Sequence, residues 1–350
     1  MSVQFATKVI VRATVIMLLT SCTGQSLAPT GQSLAPTVPL VANANRGNVC
    51  HCLYVTIPYS PTYPLGAVGV YALSSRGDAK PLQYIAGGNT GLHTPSDLAV
   101  NSKGEIFVAN FRGNTVTVYA ANATGNAAPI RTIAGFRTGL AAPFGIALNP
   151  MDGNVYVTNR TGGSNRIGSI TVYSPDSNGN VPPTEKIGGS NTGLNAPASL
   201  ALDARGTIYV PNIYGNSVTV YPAGSKGNVA PQATISGSYT NLQAPYQVTL
   251  DPHLNIYAAN FSTPMSLTVY AAGANGNVAP TRAIAGPKTG LDAPDGIALD
   301  RAGNIYAAQY DSNRVTVYGP GANGDVAPSW RLHGRRTGII CPSGIVIRRF

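Results

Sequence analysis

One unit of about 48 residues is repeated six times along this chain of 350 residues, and the repetition restricts the fold more than any other feature. Each copy contains a β-rich stretch that ends in Val-Tyr. The six tyrosines follow one another at intervals of 48, 54, 48, 49 and 48 residues: Tyr71, Tyr119, Tyr173, Tyr221, Tyr270 and Tyr318. A fixed period of this length is typical of propellers and solenoids, in which each unit packs mainly against its neighbours.

The fifth copy shows most clearly what one unit contains. Four short runs of apolar and β-branched residues are separated by Gly, Asn, Asp and Pro: 293–300, 304–309, 314–318 and 328–332. Such runs predict β-strands, and no segment keeps the 3.6-residue apolar period of an amphipathic helix. Units of four antiparallel strands joined by short turns are the blades of a β-propeller. The sequence therefore predicts an all-β protein that is nearly free of helix.

The two ends of the chain complement each other. The last copy stops after an innermost strand at 343–347, whereas the N-terminal part supplies a second strand at 53–57, a third near 68–72 and a fourth near 82–86. We therefore predict a closed six-bladed ring, whose sixth blade combines one C-terminal strand with three N-terminal strands. Closure of this kind removes the free edges of an open array.

Proline predicts which strand of each blade is outermost. Because proline cannot donate a hydrogen bond to a ladder, it is restricted to sheet edges. We expect the fourth strand of every blade to begin at a proline and to form the outer edge: Pro81, Pro129, Pro183, Pro231, Pro280 and Pro328. The Asn-Gly pairs in the preceding loops, at 178–179, 275–276 and 323–324, suit tight hairpin turns.

The repeat units carry a family resemblance. The segments PDGIALDRAGNIYAAQYDSNRVTVY and GEIFVANFRGNTVTVY resemble the NHL-repeat and YVTN-type propeller families, and the resemblance extends over about residues 52–350. It implies the six-bladed propeller fold. It implies little about function, because propellers of this kind serve as enzymes, binding modules and scaffolds.

The N-terminus has the features of an export signal. Residues 1–21 contain two cations, Lys8 and Arg12, followed by an apolar core at 13–19 that is too short to span a bilayer. The next residues, Leu19-Thr20-Ser21-Cys22, resemble the bacterial lipobox and predict lipidation at Cys22; a plain cleaved signal is the alternative. Residues 22–49 include a directly repeated GQSLAPT and predict a low-complexity tether before a propeller at 50–350.

These segments predict an exported protein that is lipid-anchored at the bacterial cell envelope, in the outer membrane or at the cell surface. The chain has a net charge of +10, which falls to about +8 after loss of the two cations in residues 1–21. The charge favours solubility, with attraction to anionic envelope polymers as the alternative. The export signal and the lack of a nucleic-acid motif argue against nucleic acid as a partner, and we expect a monomer.

The cysteines of the propeller region do not suggest a disulfide framework. Cys50, Cys52 and Cys341 are odd in number, and the repeat alignment places Cys52 and Cys341 at opposite ends of a strand pair. They are then about 23 Å apart, too far for a bond. Cys50-His51-Cys52 supplies two metal-ligand types, which would be half of a metal site.

The mouth of the central channel is the predicted binding site. The copies differ from one another in the loops that lead into the innermost strands and in those that join the second and third strands, and both sets should share one face. The aromatic and polar residues found there suit a glycan, peptide or protein ligand: Tyr59, Phe111, Arg160, Tyr246, Gln247, Phe261, Asp295 and Tyr310. Alternatively, the aromatic residues cover neighbouring blades. A six-residue insertion around 161–167 enlarges the second blade.

The predicted function is therefore a non-catalytic binding or scaffold role, with an enzyme as the alternative. Related propellers of the gluconolactonase and paraoxonase kind hold calcium over the channel with Asn, Asp and Glu side chains, so the resemblance would imply a metal-dependent hydrolase or lactonase. The oxygen-bearing candidates are Asp97, Asn110, Asn159, Asn212, Asn260 and Asp295. Because the asparagine recurs with the repeat, it also suits a turn-forming role. No cofactor is expected for the binding role, and calcium belongs only to the enzymatic alternative.

Overall fold

The computed structural model describes residues 50–161 and 167–348. These residues form six antiparallel sheets of four strands each, arranged as the blades of a ring. Helix is limited to one 3-10 turn at Arg335–Thr337 within the described residues, where no helix has the length and apolarity to cross a bilayer. The predicted all-β, six-bladed propeller is confirmed. The predicted signal, Cys22 and the whole tether lie outside the described residues.

The strands are numbered along the chain. The innermost strands are β4 (Pro95–Val100), β8 (Pro143–Leu148), β12 (Ala201–Leu202), β16 (Pro245–Leu250), β20 (Pro294–Leu299) and β24 (Ile345–Ile347). The second strands are β5 (Ile106–Asn110), β9 (Val155–Asn159), β13 (Ile208–Asn212), β17 (Ile256–Asn260), β21 (Ile305–Gln309) and β1 (Cys52–Ile57). The third strands are β6 (Thr115–Tyr119), β10 (Ser169–Tyr173), β14 (Ser217–Tyr221), β18 (Ser266–Tyr270), β22 (Arg314–Tyr318) and β2 (Ala67–Ala72). The outer strands are β7 (Arg131–Ala134), β11 (Glu185–Ile187), β15 (Ala233–Ser236), β19 (Arg282–Ile284), β23 (Trp330–His333) and β3 (Gln83–Ala86).

Blades one to five follow in chain order from β4 to β23, and blade six has the strand order β24-β1-β2-β3. In blade six, Leu53 of β1 is paired with Ile347 of β24, and Tyr54 with Val346. The C-terminal strand therefore completes the sheet that the N-terminal strands begin, and the predicted closure is confirmed. The second and third strands are almost entirely buried, so the core lies between adjacent blades.

The repeated tyrosines join each blade to the one before it. We call the segment that leads from an outer strand to the next innermost strand a crossover. Each tyrosine is 0% exposed and donates its hydroxyl to a threonine carbonyl of the crossover that enters its blade, over 2.5–2.9 Å. The pairs are Tyr71–Thr337, Tyr119–Thr90, Tyr173–Thr138, Tyr221–Thr192, Tyr270–Thr240 and Tyr318–Thr289.

The Asn-Gly loops do not form the tight hairpin turns expected from the sequence. Their glycines have positive φ, 76° at Gly179, which suits this residue type. However, each loop reaches across to the outer strand of the preceding blade: Gly179 donates to Thr132 O over 2.7 Å and accepts from Ala134 N over 3.1 Å. The same parallel bridge occurs at all six blade junctions. Each loop therefore pairs with the outer strand of the preceding blade. The hairpin interpretation was wrong because it considered the residues of one blade alone.

The prolines lie just before the outer strands rather than at their first residue. In blade one, β7 begins at Arg131, two residues after Pro129. The residue after the proline, Ile130, donates its N–H to Val118 O over 2.8 Å. Pairing therefore starts at the first residue that has an N–H group, and the outer-edge position of the fourth strand is confirmed.

The cysteine prediction needs a correction. Cys50 and Cys52 form a disulfide with each other, their Cα atoms 5.2 Å apart, and none of the described cysteines is free. The Cys50-His51-Cys52 segment therefore offers no thiolate pair to a metal. The odd number of cysteines in the propeller region did not exclude a disulfide, because Cys50 and Cys52 lie close enough in sequence to pair with each other. Pairing with Cys50 agrees with the expectation that Cys52 does not pair with Cys341.

Replacing Tyr119 by phenylalanine tests the tyrosine contact. The substitution leaves the buried Thr90 carbonyl without its donor, and we expect the free energy of unfolding to fall by about 1–3 kcal/mol. Urea unfolding of the purified protein measures this change. Tyr214→Phe is the matched control, since Tyr214 is 62% exposed. Equal stability of the two variants would show that the buried hydroxyl does not hold the crossover.

Candidate functional site

One end of the propeller carries the predicted site residues. We call it the top face; there the innermost strands begin and the second strands end, as Pro95 opposite Asn110 shows. The residue before the proline that leads into each innermost strand has a positive φ of 46–57° in all six blades, although none is glycine: Thr94, Ala142, Ala196, Ala244, Ala293 and Cys341. This uncommon conformation turns every crossover sharply into the channel wall at the same depth.

The asparagines that end the second strands have structural roles. Asn110 Oδ1 accepts from His93 N over 3.1 Å, and its Nδ2 donates to Thr117 Oγ1 over 3.0 Å. Asn159, Asn212 and Asn260 repeat this pattern, and Gln309 repeats it in blade five. All five side chains are 0% exposed. Their amide groups thus bind the crossover and the third strand, as the turn-forming interpretation expects.

Aromatic side chains from four blades meet over the channel. Phe111 contacts Phe144 (ring centroids 6.0 Å apart), Phe144 contacts Tyr246 (5.7 Å), Tyr246 is stacked on Phe261 (4.6 Å), and Phe261 contacts Tyr310 (6.1 Å). We call these five residues together with Arg160 the mouth cluster. Most of these contacts are edge-to-face, an arrangement that stabilises ring pairs beyond their buried area.

Arg160 binds to this cluster through its charged end. Its guanidinium carbon lies 4.0 Å from the Phe144 ring centroid, 5.2 Å from that of Tyr246 and 5.7 Å from that of Phe111. Cations are attracted to aromatic faces at these distances. Arg160 directly precedes the insertion of blade two, of which residues 162–166 lie outside the described residues. The cluster therefore combines a fixed positive charge with a continuous aromatic surface.

The predicted site residues differ in their access to solvent. Tyr246 (2% exposed), Gln247 (6%) and Asp295 (5%) are buried beneath the surface, whereas Phe111, Arg160, Phe261 and Tyr310 are half-buried. Tyr59 is 46% exposed and makes no ring contact with the cluster among the described residues. Phe144 was absent from the predicted site, although it follows the proline of its innermost strand as Tyr246 does in blade four. It is 8% exposed and belongs to the floor of the cluster.

Two buried acids and a glutamine lie in the channel wall. Asp97 Oδ1 accepts from Leu98 N over 2.9 Å, and Gln247 Nε2 lies 3.4 Å from the same oxygen. Gln247 Oε1 accepts from Ile297 N over 2.8 Å and thereby links blade four to blade five. Asp97 and Gln247 also line a channel of about 230 Å³ whose walls are formed by the innermost strands.

Burial controls the protonation of both acids. Burial raises the pKa of Asp97 from 3.8 to about 7, opposed by the hydrogen bonds that it accepts from the backbone N–H groups of Leu98 and Ile146. Burial likewise raises the pKa of Asp295 from 3.8 to about 7; the Arg160 charge and the Ser343 hydrogen bond oppose the rise, and the Asp97 charge adds to it. Both carboxyls therefore keep their protons to a higher pH than an exposed aspartate does.

These two acids are the carboxylate part of the predicted metal set. Among the described residues, no three His, Cys, Asp or Glu side chains lie together in a group that could hold a metal ion. Asp97 and Asp295 lie in the channel wall, whereas the four asparagine side chains are committed to neighbouring strands and crossovers. An ion held by the predicted set would have to displace hydrogen bonds that recur in five blades.

Comparison with solved structures gives the same architecture. The chain is similar to a protein provisionally identified as a 6-phosphogluconolactonase from Bacteroides uniformis (18% identity, 83% of each chain covered, TM-score 0.55). It is also similar to a virginiamycin B lyase from Staphylococcus aureus (12% identity, 77% of this chain and 82% of that chain, TM-score 0.52). A third similar structure is the WD40 propeller domain of Doa1 (11% identity, 75% and 73%, TM-score 0.51).

At these identities the likeness shows the propeller fold alone, since one fold carries many functions. No protein-family model matches the chain, and no curated protein matches it. The resemblance to NHL-repeat and YVTN-type propellers therefore stays a prediction at the level of family, while its six-bladed fold is confirmed.

The asparagine contacts predict the response to metal ions. Since these side chains are already hydrogen-bonded within the fold, we expect the thermal midpoint of unfolding to be the same with calcium, with zinc and with EDTA. Thermal melts of the purified protein check this expectation. A rise of the midpoint with calcium that EDTA reverses would show specific binding by mass action and would favour the metal-dependent enzyme.

The buried acids predict that stability falls as pH rises. Between the ordinary pKa of 3.8 and the folded pKa of about 7, the folded protein keeps protons that the unfolded chain releases. Their contribution is thus complete below the unfolded pKa and lost as pH rises through the folded pKa. Urea unfolding between pH 5 and pH 8 should show this loss. Asp295→Asn should flatten the profile, while the exposed control Asp176→Asn should keep it; parallel profiles would contradict this account.

Proposed function

We propose that this chain is a non-catalytic binding or scaffold propeller that is displayed at the cell envelope and holds its ligand on the top face, at the mouth cluster. The observation that supports this most is the convergence of repeat-divergent residues from four blades. Phe111, Arg160, Phe261 and Tyr310 each follow the second strand of a different blade, and they meet in one continuous surface.

The surface suits a ligand that combines flat apolar faces with polar groups. Half-buried aromatic rings offer area that is already rigid, so that little conformational entropy is lost on binding. Arg160 adds donors for carbonyl, hydroxyl or carboxylate oxygens. A glycan or an extended peptide has this chemistry. Buried residues beneath this surface would fix the positions of the residues that touch the ligand. They are Tyr246, Gln247, Phe144 and Asp295.

The second predicted role, a metal-dependent hydrolase or lactonase, has less support. Its proposed oxygen ligands are either hydrogen-bonded within the repeat, as the asparagines are, or are buried acids of raised pKa in the channel wall. We keep it as the alternative that the calcium and EDTA melts address. Envelope display through a lipid on Cys22 is part of the proposal and rests on the lipobox-like sequence Leu19-Thr20-Ser21-Cys22.

Substitutions in the outer layer of the mouth cluster test the binding role. The double variant Phe261→Ala/Tyr310→Ala removes two half-buried rings while Tyr246 and Phe144 retain the floor. We expect the parent protein to bind members of a glycan array or an envelope-peptide array, and the variant to bind the same members at least about tenfold more weakly, because a well-placed aromatic contact contributes more than about 1 kcal/mol.

Tyr214→Ala/Tyr239→Ala is the matched control, because it removes two rings that are 62% and 69% exposed on the same face but outside the cluster. The thermal midpoint of each variant establishes that the fold is intact. Binding that survives loss of Phe261 and Tyr310 and is lost in the control would move the site to the periphery of the face and overturn the mouth assignment. A parent protein that binds neither array would contradict the binding role.

A further inference from the structure

Two arginine side chains of blade five converge on one point at the rim of the top face. Arg314 Nη2 donates to Gly290 O over 3.1 Å. A methyl group placed on the α-carbon of Gly290 would lie 3.5 Å from Arg331 Nη2 and 3.8 Å from Arg314 Nη2. The guanidinium groups of two different strands, β22 and β23, therefore share the small space beside the crossover that enters blade five.

The other blades do not carry this pair. At the position of Arg314, the strand register places Thr115, Ser169, Ser217, Ser266 and Ala67. At the position of Arg331 it places Thr132, Lys186, Thr234, Ala283 and Tyr84. Beside the equivalent crossover glycines Gly91 and Gly193, the neighbouring atoms are threonine methyl groups and proline ring carbons. The blade structure therefore does not require arginine at either position.

The two charges are not neutralised by a carboxylate. The ion pair found among the described residues is Arg131–Glu105, at 3.1 Å in blade one, so neither Arg314 nor Arg331 forms one. Arg314 Nε is buried without a hydrogen-bond partner. Burial raises the pKa of Tyr318 to about 12, and the Arg314 and Arg331 charges both oppose that rise. The guanidinium charges of Arg314 and Arg331 repel each other at this short distance.

Both basic and acidic residues lie around the pair. His333 is directly opposite Arg314 in the strand register, and Lys288 lies two residues before Gly290 in the same crossover, with its side chain exposed. Asp325 accepts from the Lys288 backbone N–H over 2.7 Å. Asp292 follows Gly290 by two residues and forms no ion pair with described residues.

We propose that Arg314 and Arg331 form a binding site for a phosphate group on the rim of the top face. Guanidinium groups recognise oxyanions through paired N–H donors. A carboxylate has two coplanar oxygens, which a single guanidinium already occupies, whereas a phosphate has additional oxygens for the second one. The site uses no residue of the mouth cluster, so it stands independently of the proposed function.

Matched substitutions from the repeat itself provide the test. Arg314→Ser and Arg331→Thr introduce residues that other blades carry at these positions, so the fold should tolerate them. Thermal melts are recorded in increasing sodium phosphate against sodium chloride of equal ionic strength, and the apparent Kd is taken from the rise of the midpoint. Arg205→Ser, an exposed residue in the turn after β12, removes the same charge elsewhere.

We expect phosphate to stabilise the parent protein and Arg205→Ser beyond the effect of chloride, and each rim variant to bind phosphate at least about tenfold more weakly. A phosphate response equal to that of chloride, or one retained by both rim variants, would overturn the proposal, and the midpoint in chloride alone shows that each variant is folded. Vesicles of phosphatidylglycerol, with phosphatidylcholine as the neutral reference, then distinguish a lipid phosphate from a soluble one.

Discussion

The hydrogen bond from a buried tyrosine to a crossover carbonyl is the contact on which the rest of this propeller depends. It occurs in all six blades and fixes the segment through which the chain passes from one blade to the next. The tyrosine also fills the space between blades, so apolar burial and hydrogen bonding act at the same place. In blade six the partner, Thr337, is 266 residues away from Tyr71, and the same contact therefore helps to close the ring.

A uniform scaffold of this kind leaves function to the positions where copies differ. The repeated asparagines, threonines and glycines satisfy the backbone groups of the crossovers, which would otherwise be costly to bury. Two sets of residues are candidates for function: the mouth cluster over the channel, whose rings also pack against the buried Ala198 and Ile213, and the arginine pair on the rim of blade five. Both lie on the top face, where the crossovers hold side chains from different blades at fixed positions.

The channel wall shows how the same scaffold can hold polar groups that are expensive to bury. Asp97, Gln247 and Asp295 come from different blades, and each binds backbone groups or polar side chains of a neighbouring innermost strand. Because water is largely excluded there, the acids keep their protons to near-neutral pH. The interior of the ring thus depends on pH in a way that its apolar interfaces between blades do not.

The sequence by itself determined the period, the four strands per blade, the outer position of the fourth strand and the closure by both ends. These features are local or repeated, so alternating residues and turn signals are sufficient to specify them. The tertiary structure decided which divergent residues meet: Tyr246 is buried beneath Phe261, Tyr59 stands apart, the Asn-Gly loops bridge blades, and Cys50 pairs with Cys52. Arg314 and Arg331 likewise converge only in the folded ring. These distances depend on how the six blades are arranged around the channel. The residue pattern within one repeat unit does not encode the distance between residues of two different blades.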